Sequence, residues 1–444
     1  MNLHWASLLL LLTISRANCR NLLLAQVISR HGDRAPDVTY PNDEYIAKDW
    51  PRGYSELTNE GMQETYRLGQ FYRKRYVDST FLAPEYNKDE IYTRSTDVPR
   101  ALTSAQSILF GLYPATGEDV WMNGTSWQPL PVHGFMPASD DLLLKPTSVN
   151  CPAKVAAWTT LTKDLFEQYD IEYADFFEYI ANVTGMRPMN MNKISHIYDA
   201  VSCERNHNMT HAWAEAQWKN STKTVFDTIV ELKQVFRISQ FSQPPLYNFT
   251  GGYLLFDFVD RMQKKAANIS TVPQKMIIYS SHDGTVTALM YAMGVGNGQL
   301  TPYASAVMLE LYQNDQNGFE VGVFFRNDSY AEQPMELQIP GCGGNICTLE
   351  AFSSSLQSVM YRTRSDYNRD CGLPEEETTP SFFVSTTSDG STQKAAQTAD
   401  DQNRVPDYIA WILGGLCLIL LFALILALCC CCRIQKKHRH NNRS

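Results

Sequence analysis

The sequence predicts an α/β protein with a doubly wound, mostly parallel sheet, a mostly helical insertion and one C-terminal transmembrane helix. Three short apolar runs, each typical of a buried strand, end in polar turns that lead into helical patterns. The chain between the second and third runs has helical periodicity with almost no strand signal. A long apolar run without charges lies near the C-terminus. These three observations define the predicted fold class.

The three predicted strands cover residues 22–29, 90–93 and 275–281, and charged turns follow at residues 30–34, 94–97 and 282–284. Ser95 or Thr96 is predicted to cap the helix that opens through Ala101. In a doubly wound sheet, the carboxyl ends of the strands gather at one crevice, and helix N-termini there favour an anion. The sequence therefore predicts that the three charged turns converge on an anionic ligand.

Three further elements complete the predicted domain. A helix is expected over residues 58–76, capped by Thr58 and packed through Met62, Tyr66, Leu68 and Phe71. Residues from about 140 to 262 are expected to form the helical insertion. Residues 307–312 and 319–325 flank Asn317-Gly318, which predicts an antiparallel hairpin at one edge of the sheet.

The two ends of the chain predict a type I membrane protein. Residues 1–19 resemble a cleaved signal peptide, with a cut after Cys19, or after Ala17 if Cys19 stays in the mature chain. Residues 409–432 carry no charge and are long enough for one membrane helix, and the basic residues that follow predict a cytoplasmic tail at 433–444. This arrangement makes residues 20–371 a lumenal domain and residues 372–408, rich in Thr, Ser, Asp and Gln, a flexible stalk.

Sequons and charge agree with a secretory compartment. Seven Asn-x-Ser/Thr sequons are candidate glycosylation sites, and all lie on the predicted lumenal side: Asn123, Asn182, Asn208, Asn220, Asn248, Asn268 and Asn327. The net charge of −9, with no basic stripe outside the short tail, excludes a nucleic-acid partner. We therefore expect a membrane of the secretory pathway, either the plasma membrane or a late secretory or endolysosomal membrane.

The cysteines fall into two groups. The predicted lumenal domain holds five, an odd number, so at least one thiol is left over or pairs between chains. Residues 429–432 are four consecutive cysteines at the cytosolic membrane edge, which favours S-palmitoylation over simple apolar filling.

The residue types in the charged turns favour phosphoryl chemistry. Guanidinium groups, as in Arg30, Arg34 and Arg94, present planar donor pairs that suit phosphate oxygens. His31 among them is placed to attack phosphorus, and the surrounding cations lower the pKa of His31, which keeps it neutral in acid. Asp283 is the candidate acid for the leaving group.

These motifs resemble those of the histidine acid phosphatases, of the prostatic and lysosomal type. Arg30-His31-Gly32-Asp33-Arg34-Ala35-Pro36 resembles the signature of the family, His282-Asp283 its second motif and residues 94–98 a third landmark. The resemblance covers essentially the whole predicted lumenal region. It implies a phosphoglycerate-mutase-like fold and hydrolysis of phosphate monoesters through a phosphohistidine intermediate.

The resemblance also implies roles for single residues. His31 would be phosphorylated and then dephosphorylated by water, and Asp283 would protonate the leaving group. The residues that would hold the phosphate are Arg30, Arg34, Arg94 and His282. The expected substrate is a small phosphate monoester or a phosphoprotein, with no metal and no other cofactor. Trp127 and His133 resemble positions at the dimer interface of the family, which implies a homodimer.

The cysteine pairing is likewise carried over from the resemblance. It implies the disulfides Cys151–Cys371 and Cys342–Cys347. The family has a further cysteine where this chain has Ala306, so Cys203, which resembles its partner, is expected to be unpaired. A second departure is Gly284, where this branch of the family usually has Thr.

Two other functions remain open from the sequence. A phytase or related inositol-phosphate phosphatase would need extra Lys and Arg for a polyanion, and the lumenal region shows no obvious surplus. A non-enzymatic cell-surface receptor or adhesion ectodomain suits the stalk and anchor equally well, but such pseudo-enzymes usually lose a site residue. His207 and His211 have the spacing of a zinc pair without its intervening Glu, so we interpret them as part of a surface turn.

Overall fold

The computed structural model describes residues 20–219, 221–270 and 272–373. The predicted signal peptide, membrane helix, cytoplasmic tail and nearly all of the stalk lie outside the described residues, as does the sequon residue Asn220. In the described ranges, no helix has both the length and the apolar character needed to cross a membrane.

Seven strands and eleven α-helices make up the described part of the chain. The strands are β1 Asn21–Arg30, β2 Ile91–Ser95, β3 Met276–Ser281, β4 Ala306–Gln313, β5 Phe319–Arg326, β6 Met335–Glu336 and β7 Ile346–Thr348. The helices are α1 Asn59–Tyr72, α2 Pro99–Leu112, α3 Pro152–Glu172, α4 Ala174–Thr184, α5 Ile194–Asn206, α6 Ala212–Glu215, α7 Val225–Ile238, α8 Leu246–Ala266, α9 Asp283–Ala292, α10 Leu349–Leu356 and α11 Arg364–Cys371.

The strands form one mixed sheet in the order β2-β3-β1-β4-β5-β6, with β7 also paired to β5. β1 and β2 both run parallel to β3, whereas β4 is antiparallel to β1 and to β5. The prediction of a mostly parallel sheet is therefore wrong. The physical reason is the length of the connections, because a short turn such as residues 314–318 can join only antiparallel neighbours, whereas parallel strands need a crossover. The predicted hairpin is confirmed as β4 and β5, but it does not lie at the sheet edge, because β5 also pairs with β6 and β7.

Helices cover both faces of the sheet, as expected for a doubly wound fold. In β1, Leu24 and Ile28 pack with α8 and α9, whereas Ala25 and Val27, which point the other way, pack with α1 and α2. The alternation in β3 is the same. Because these strands are buried on both faces, their sequences are almost continuously apolar, and this is why they could be recognised.

The helix caps agree with the sequence in one case and differ in another. The Oγ1 atom of Thr58 accepts a hydrogen bond from the backbone N–H of Gly61, so Thr58 caps α1 as predicted. The predicted cap of α2 is wrong, because this helix begins at Pro99 after Val98. Ser95 still belongs to β2, and proline at the first helical position sets the start of the helix.

No strand occurs in the described residues between β2 and β3, which contain helices α2 to α8. Helices α3, α4, α5 and α7 share a separate apolar core, which includes Phe176, Ile197 and Ile229. By contrast, α8 packs against the sheet and belongs to the main domain. The Cys151–Cys371 disulfide joins the start of α3 to the end of α11, and Cys342–Cys347 closes a short loop before β7.

The described sequons differ in exposure. Asn123, Asn182, Asn208, Asn268 and Asn327 are exposed. Asn248 is half-buried, and its side-chain amide donates a hydrogen bond of 3.1 Å to the carbonyl oxygen of Ser358. A glycan on Asn248 would have to replace this bond.

Candidate active site

The parallel strands bring their carboxyl ends to one edge of the sheet. The backbone N–H of His31 donates to the carbonyl of Ser281 over 2.9 Å, and that of Thr96 donates to Ser280 over 3.1 Å. The rings of His31 and His282 are consequently 5.5 Å apart, between centroids. Both histidines line a cavity of about 320 Å³, and Asp283 lies in the same cavity.

His31 has a defined tautomer. Its Nδ1 lies 2.8 Å from the carbonyl oxygen of Gly32, which can only accept, so Nδ1 carries the proton. Its Nε2 accepts a hydrogen bond from Nε of Arg100 over 3.2 Å and is therefore the atom with the free electron pair. Burial, with Arg30 and Arg100 nearby, holds the pKa of His31 well below its ordinary value. The ring is thus a neutral base whose nucleophilic nitrogen faces a guanidinium group.

Arg30 and Arg34, the two arginines of the first turn, lie in this cavity, as the sequence predicts. The guanidinium of Arg30 stacks 3.8 Å above the ring of Tyr303 and donates to the carbonyl of Thr301. Arg34 pairs with Asp199 over 2.6 Å. In both arginines Nε is buried and has no hydrogen-bond partner among the described residues. Both guanidinium groups therefore keep one N–H that no described protein group uses.

Arg94 does not line this cavity, and the structure corrects its assignment. The side chain of Arg94 pairs with the buried carboxylate of Asp141 over 2.7 Å. Arg94 lies within β2, so the pleat directs its side chain to one face of the sheet and away from the crevice at its end. Arg100, in the first turn of α2, lies in the cavity where Arg94 was expected and contacts His31.

His282 and Asp283 stand at the start of α9, whose N-terminus favours negative charge. Nε2 of His282 lies 3.0 Å from the hydroxyl of Thr96. Burial, together with Arg100, lowers the pKa of His282 to about 3. Burial alone would raise the pKa of Asp283, but Arg237 and neighbouring cations hold that pKa well below its usual range. The cavity therefore contains a neutral histidine beside a carboxylate.

The loop after β1 is held close to α1 by two glycines and by Asp33. A Cβ atom on Gly32 would lie 2.1 Å from the carbonyl oxygen of Gly61, so only glycine allows this approach. The carboxylate of Asp33 accepts a bond of 2.6 Å from Thr58 and lies 2.6 Å from Nε2 of His207. These contacts hold the loop that carries His31, and the residues that make them do not line the cavity around His31.

Several cavity residues come from distant parts of the chain and were missed in the sequence. They are Arg100, Lys145, Asp199, Lys233 and Arg237. Arg100 had a local signal in the sequence. It is the second residue of α2, close after β2, and the arginine within β2, Arg94, points to one face of the sheet. The others carried none, because a single charged residue on a predicted surface helix or in a loop is usually solvated.

The interpretation of His207 and His211 as part of a surface turn is wrong. His211 is buried and lies 2.9 Å from a carboxylate oxygen of the buried Glu204. Possible ligand atoms of Asp43, Glu204 and His211 lie within 4.8 Å of one another, a geometry that could hold a metal ion. The hydroxyl of Tyr40 also contacts Nε2 of His211, over 2.8 Å. Asn208 between the two histidines adopts a left-handed conformation, which turns His211 back into the protein.

Cys203 is a free, buried thiol. Its sulfur lies 3.5 Å from the hydroxyl of Tyr303 and 3.7 Å from Nη1 of Arg34, directly behind the cavity. Burial raises the pKa of Cys203 to about 12. The thiol is therefore a structural neighbour of the site and is unreactive in the folded protein.

Comparisons with known proteins agree with this geometry. Residues 21–326 match the family model of the histidine phosphatase superfamily, branch 2. The lysosomal acid phosphatase of Xenopus laevis is 35% identical over 366 residues, which cover 82% of each chain. The prostatic acid phosphatase of Bos taurus is 35% identical over 381 residues, which cover 83% of this chain and 93% of the relative.

Solved structures show the same fold at lower sequence similarity. The apo form of the Hafnia alvei phytase superposes with a TM-score of 0.59 at 17% identity, covering 80% of this chain and 99% of the phytase.

The region that matches the family model begins at β1 and ends at β5, so it includes His31, His282 and every parallel strand that positions them. The chain belongs to the histidine phosphatase superfamily, branch 2.

Proposed function

We propose that this protein is an acid phosphatase that hydrolyses phosphate monoesters through a phosphohistidine formed on Nε2 of His31. The observation that carries the proposal is the tautomer of His31, which leaves Nε2 unprotonated next to Arg100. The acid phosphatases among its relatives support the same activity.

In the first step, Nε2 of His31 attacks phosphorus, the N–P bond forms, and the bond to the leaving oxygen breaks. Arg30, Arg34 and Arg100 bind the equatorial oxygens, where the negative charge of the transition state is spread. His282 lies close enough to contribute a further contact to the phosphoryl group. Because three guanidinium groups surround one phosphoryl group, the repulsion between phosphate and nucleophile is removed.

The leaving oxygen receives its proton from Asp283. In the free enzyme the low pKa of Asp283 keeps this carboxyl ionised, so the proton must arrive with the substrate. A phosphate monoester below its second pKa, which is about 6, carries one proton and can hand it to Asp283 on binding. The requirement for a singly protonated substrate accounts for activity in acid.

In the second step, water attacks the phosphohistidine, the N–P bond breaks, and phosphate leaves. Asp283, which has given up its proton, accepts one from this water as general base. His31 returns to the neutral form with its proton on Nδ1, because Gly32 still accepts from that atom.

Trapping of the intermediate tests the proposal directly. Full-length protein is mixed with a ³²P-labelled aryl phosphate at pH 5 and quenched in alkali, where phosphohistidine is stable. We expect label on the peptide that contains His31, and its loss on exposure to acid. Hydrolysis without any labelled peptide at the shortest mixing times would contradict the covalent route.

The two other functions are supported less well. A receptor without activity has no need for the unpartnered Nε atoms of Arg30 and Arg34 in a buried cavity. The phytase structures share the fold at 17% identity, and fold alone does not transfer a substrate.

We further propose that the protein is a type I membrane glycoprotein, anchored by residues 409–432 in the plasma membrane or a late secretory or endolysosomal membrane. Residues 409–432 carry no charge and the residues that follow are basic, which supports an anchor with this orientation. Extraction with alkaline carbonate should leave the full-length protein in the membrane fraction, and release into the supernatant would contradict the anchor.

A homodimer is also proposed, with Trp127 in the interface. Trp127 packs against Trp121 with ring centroids 6.1 Å apart, and both side chains are exposed, by 37% and 55%. Light scattering should give twice the mass of one chain, and Trp127→Glu should reduce it to that of a monomer. A monomeric wild type at micromolar concentration would contradict the dimer.

A further inference from the structure

The cavity contains a second group of basic side chains beyond the three arginines around His31. This group, here called the outer cations, consists of Lys145, Lys233 and Arg237. Lys145 lies in the loop before α3, and Lys233 and Arg237 lie one turn apart on α7. None of them is needed to bind the reacting phosphoryl group.

Of the outer cations, Arg237 pairs with Asp283, whereas the two lysines are not paired with a carboxylate. Neither Lys145 nor Lys233 has a carboxylate oxygen within 4.0 Å in the described part of the chain. The Nζ atom of Lys233 donates only to the hydroxyl of Ser195, over 2.9 Å. Burial lowers the pKa of Lys233 to about 8, so its ammonium group stays charged in acid. A partly buried charge without a counter-ion is energetically unfavourable. This favours binding of an anionic ligand that would neutralise the two lysines.

The cavity as a whole has an excess of positive charge. Six basic side chains line it, namely Arg30, Arg34, Arg100, Lys145, Lys233 and Arg237. Three carboxylates face them, those of Asp37, Asp199 and Asp283. One singly charged phosphate monoester therefore leaves positive charge in the cavity uncompensated.

Arg237 and Lys233, two of the outer cations, act on the carboxylate proposed to protonate the leaving group. Nη2 and Nε of Arg237 are 2.9 and 3.0 Å from a carboxylate oxygen of Asp283, the proposed proton donor. Lys233 follows Arg237 and Arg30 among the cations that act on the same carboxylate. Because Asp283 must contact the leaving oxygen, whatever is attached to that oxygen lies next to Arg237.

Gly284 leaves space for the guanidinium of Arg237 next to Asp283. A Cβ atom at position 284 would lie 2.5 Å from Nη2 of Arg237, whereas with glycine the guanidinium reaches Asp283. Glycine at position 284 thus allows the guanidinium of Arg237 to lie in the cavity beside Asp283.

We propose that Lys145, Lys233 and Arg237 form a subsite for a second anionic group carried by the leaving group of the substrate. The preferred substrates are then phosphate monoesters that bear a further phosphate or carboxylate, such as bisphosphates. This inference rests on the proposed phosphatase activity and names its substrate class.

The subsite is linked to the chemistry through Arg237. A second anion that accepts hydrogen bonds from Arg237 competes with Asp283 for the same guanidinium. The pKa of Asp283 then moves back toward its usual range, which makes proton donation to the leaving oxygen easier. The second anion should therefore raise kcat as well as lower KM.

Two aryl phosphates test the inference without any variant. Phenyl phosphate and 3-(phosphonomethyl)phenyl phosphate release phenols of similar acidity, and only the second carries an additional anion, which cannot be hydrolysed. We expect the full-length wild type at pH 5 to show a kcat/KM at least about tenfold higher for the phosphonate substrate, as for one charge-assisted contact. The ratio of the two kcat/KM values is called the anion preference below.

Variants identify the residues responsible. Lys145→Met and Lys233→Met should each lower the anion preference about fivefold or more, because each removes one charge from the subsite. Gly284→Ala should do the same by displacing the flexible end of Arg237, and alanine suits a helix better than glycine. Lys223→Met is the matched control, since Lys223 precedes α7 and pairs with Glu231 outside the cavity.

The outcomes separate the inference from the function on which it rests. Hydrolysis of both substrates by the wild type with an anion preference near one would overturn the subsite and leave the phosphatase intact. An anion preference that Lys145→Met, Lys233→Met and Gly284→Ala all leave unchanged would also overturn it. Absence of turnover for both substrates would overturn the phosphatase and the subsite together.

Discussion

Arg100 donates its Nε–H to Nε2 of His31 over 3.2 Å, so a guanidinium group covers the nitrogen that is proposed to accept the phosphoryl group. This contact fixes the tautomer of His31 and also lowers its pKa, after burial and Arg30. A bound phosphoryl group must replace His31 as the acceptor for Arg100. The arginine is therefore released toward the phosphate oxygens when substrate binds.

Arg100 and Arg94 should behave differently on substitution. Arg100→Ala should lower kcat/KM for phenyl phosphate by roughly 100-fold or more, because it removes a donor to the charged transition state. Arg94→Ala should instead destabilise the fold by about 3 kcal/mol or more, since it leaves the buried carboxylate of Asp141 without its partner. Kinetics and urea unfolding of both variants distinguish the two roles.

For this pair, Arg67→Ala serves as control, because Arg67 lies on α1 and pairs with Glu60 at the surface. A large kinetic loss in Arg94→Ala with unchanged stability would restore the assignment of Arg94 to the phosphate.

His31→Ala should abolish hydrolysis of phenyl phosphate at acid pH while the protein is still made and secreted. The reason is that Nε2 of His31 is unprotonated and contacts Arg100, whereas Nε2 of the other cavity histidine, His282, contacts the hydroxyl of Thr96. Turnover and the unfolding midpoint should be measured together. Retention of more than a few per cent of the wild-type kcat would exclude His31 as the covalent acceptor.

Asp283→Asn should slow esters with poor leaving groups far more than those with good ones. Alkoxides need a proton as they depart, whereas a nitrophenolate leaves without one. The measurement is kcat/KM for a series of aryl and alkyl phosphates with different leaving-group pKa values. An equal loss across the whole series would argue against Asp283 as the proton donor.

The pH dependence of kcat/KM follows from the lowered pKa values of His31 and Asp283. The pKa of His31 lies well below 6.5, so His31 stays neutral as the pH falls through 6.5 and no activity is lost there. The pKa of Asp283 is also low, so above about pH 6 neither the enzyme nor the doubly ionised substrate has a proton for the leaving group.

We therefore expect kcat/KM to decrease above the second pKa of the substrate and the break to move with that pKa. The profile should be recorded from pH 4 to 8 with two substrates whose second pKa values differ. A decrease in kcat/KM on acidification through pH 6.5 would contradict the neutral His31.

Cys203 should resist alkylation in the folded protein and react once the chain is unfolded. Its side chain is buried, and its pKa of about 12 leaves almost no thiolate at pH 8. Peptide mapping under non-reducing conditions, before and after unfolding in iodoacetamide, reports on this residue alone. Cys203 recovered in a disulfide, or rapidly labelled in the native protein, would contradict the prediction.

Local features of the sequence determined the parallel strands, the two charged turns that contain His31 and Asp283, and the family. β1 and β3 are buried on both faces, so their apolar character is continuous and visible without knowledge of their neighbours. His31 and its two arginines lie within five consecutive residues, and His282 is adjacent to Asp283. Chemistry that is contiguous in the chain can be predicted before the fold is known.

Tertiary structure alone decided the remainder of the site. The choice between Arg94 and Arg100 depends on which way each side chain points from β2 and α2, and a one-dimensional pattern does not contain that direction. Lys233 and Arg237 resemble solvated helix residues until α7 folds over the crevice beside Asp283. Such contacts join residues far apart in the chain, so their effects on charge and pKa exist only in the folded protein.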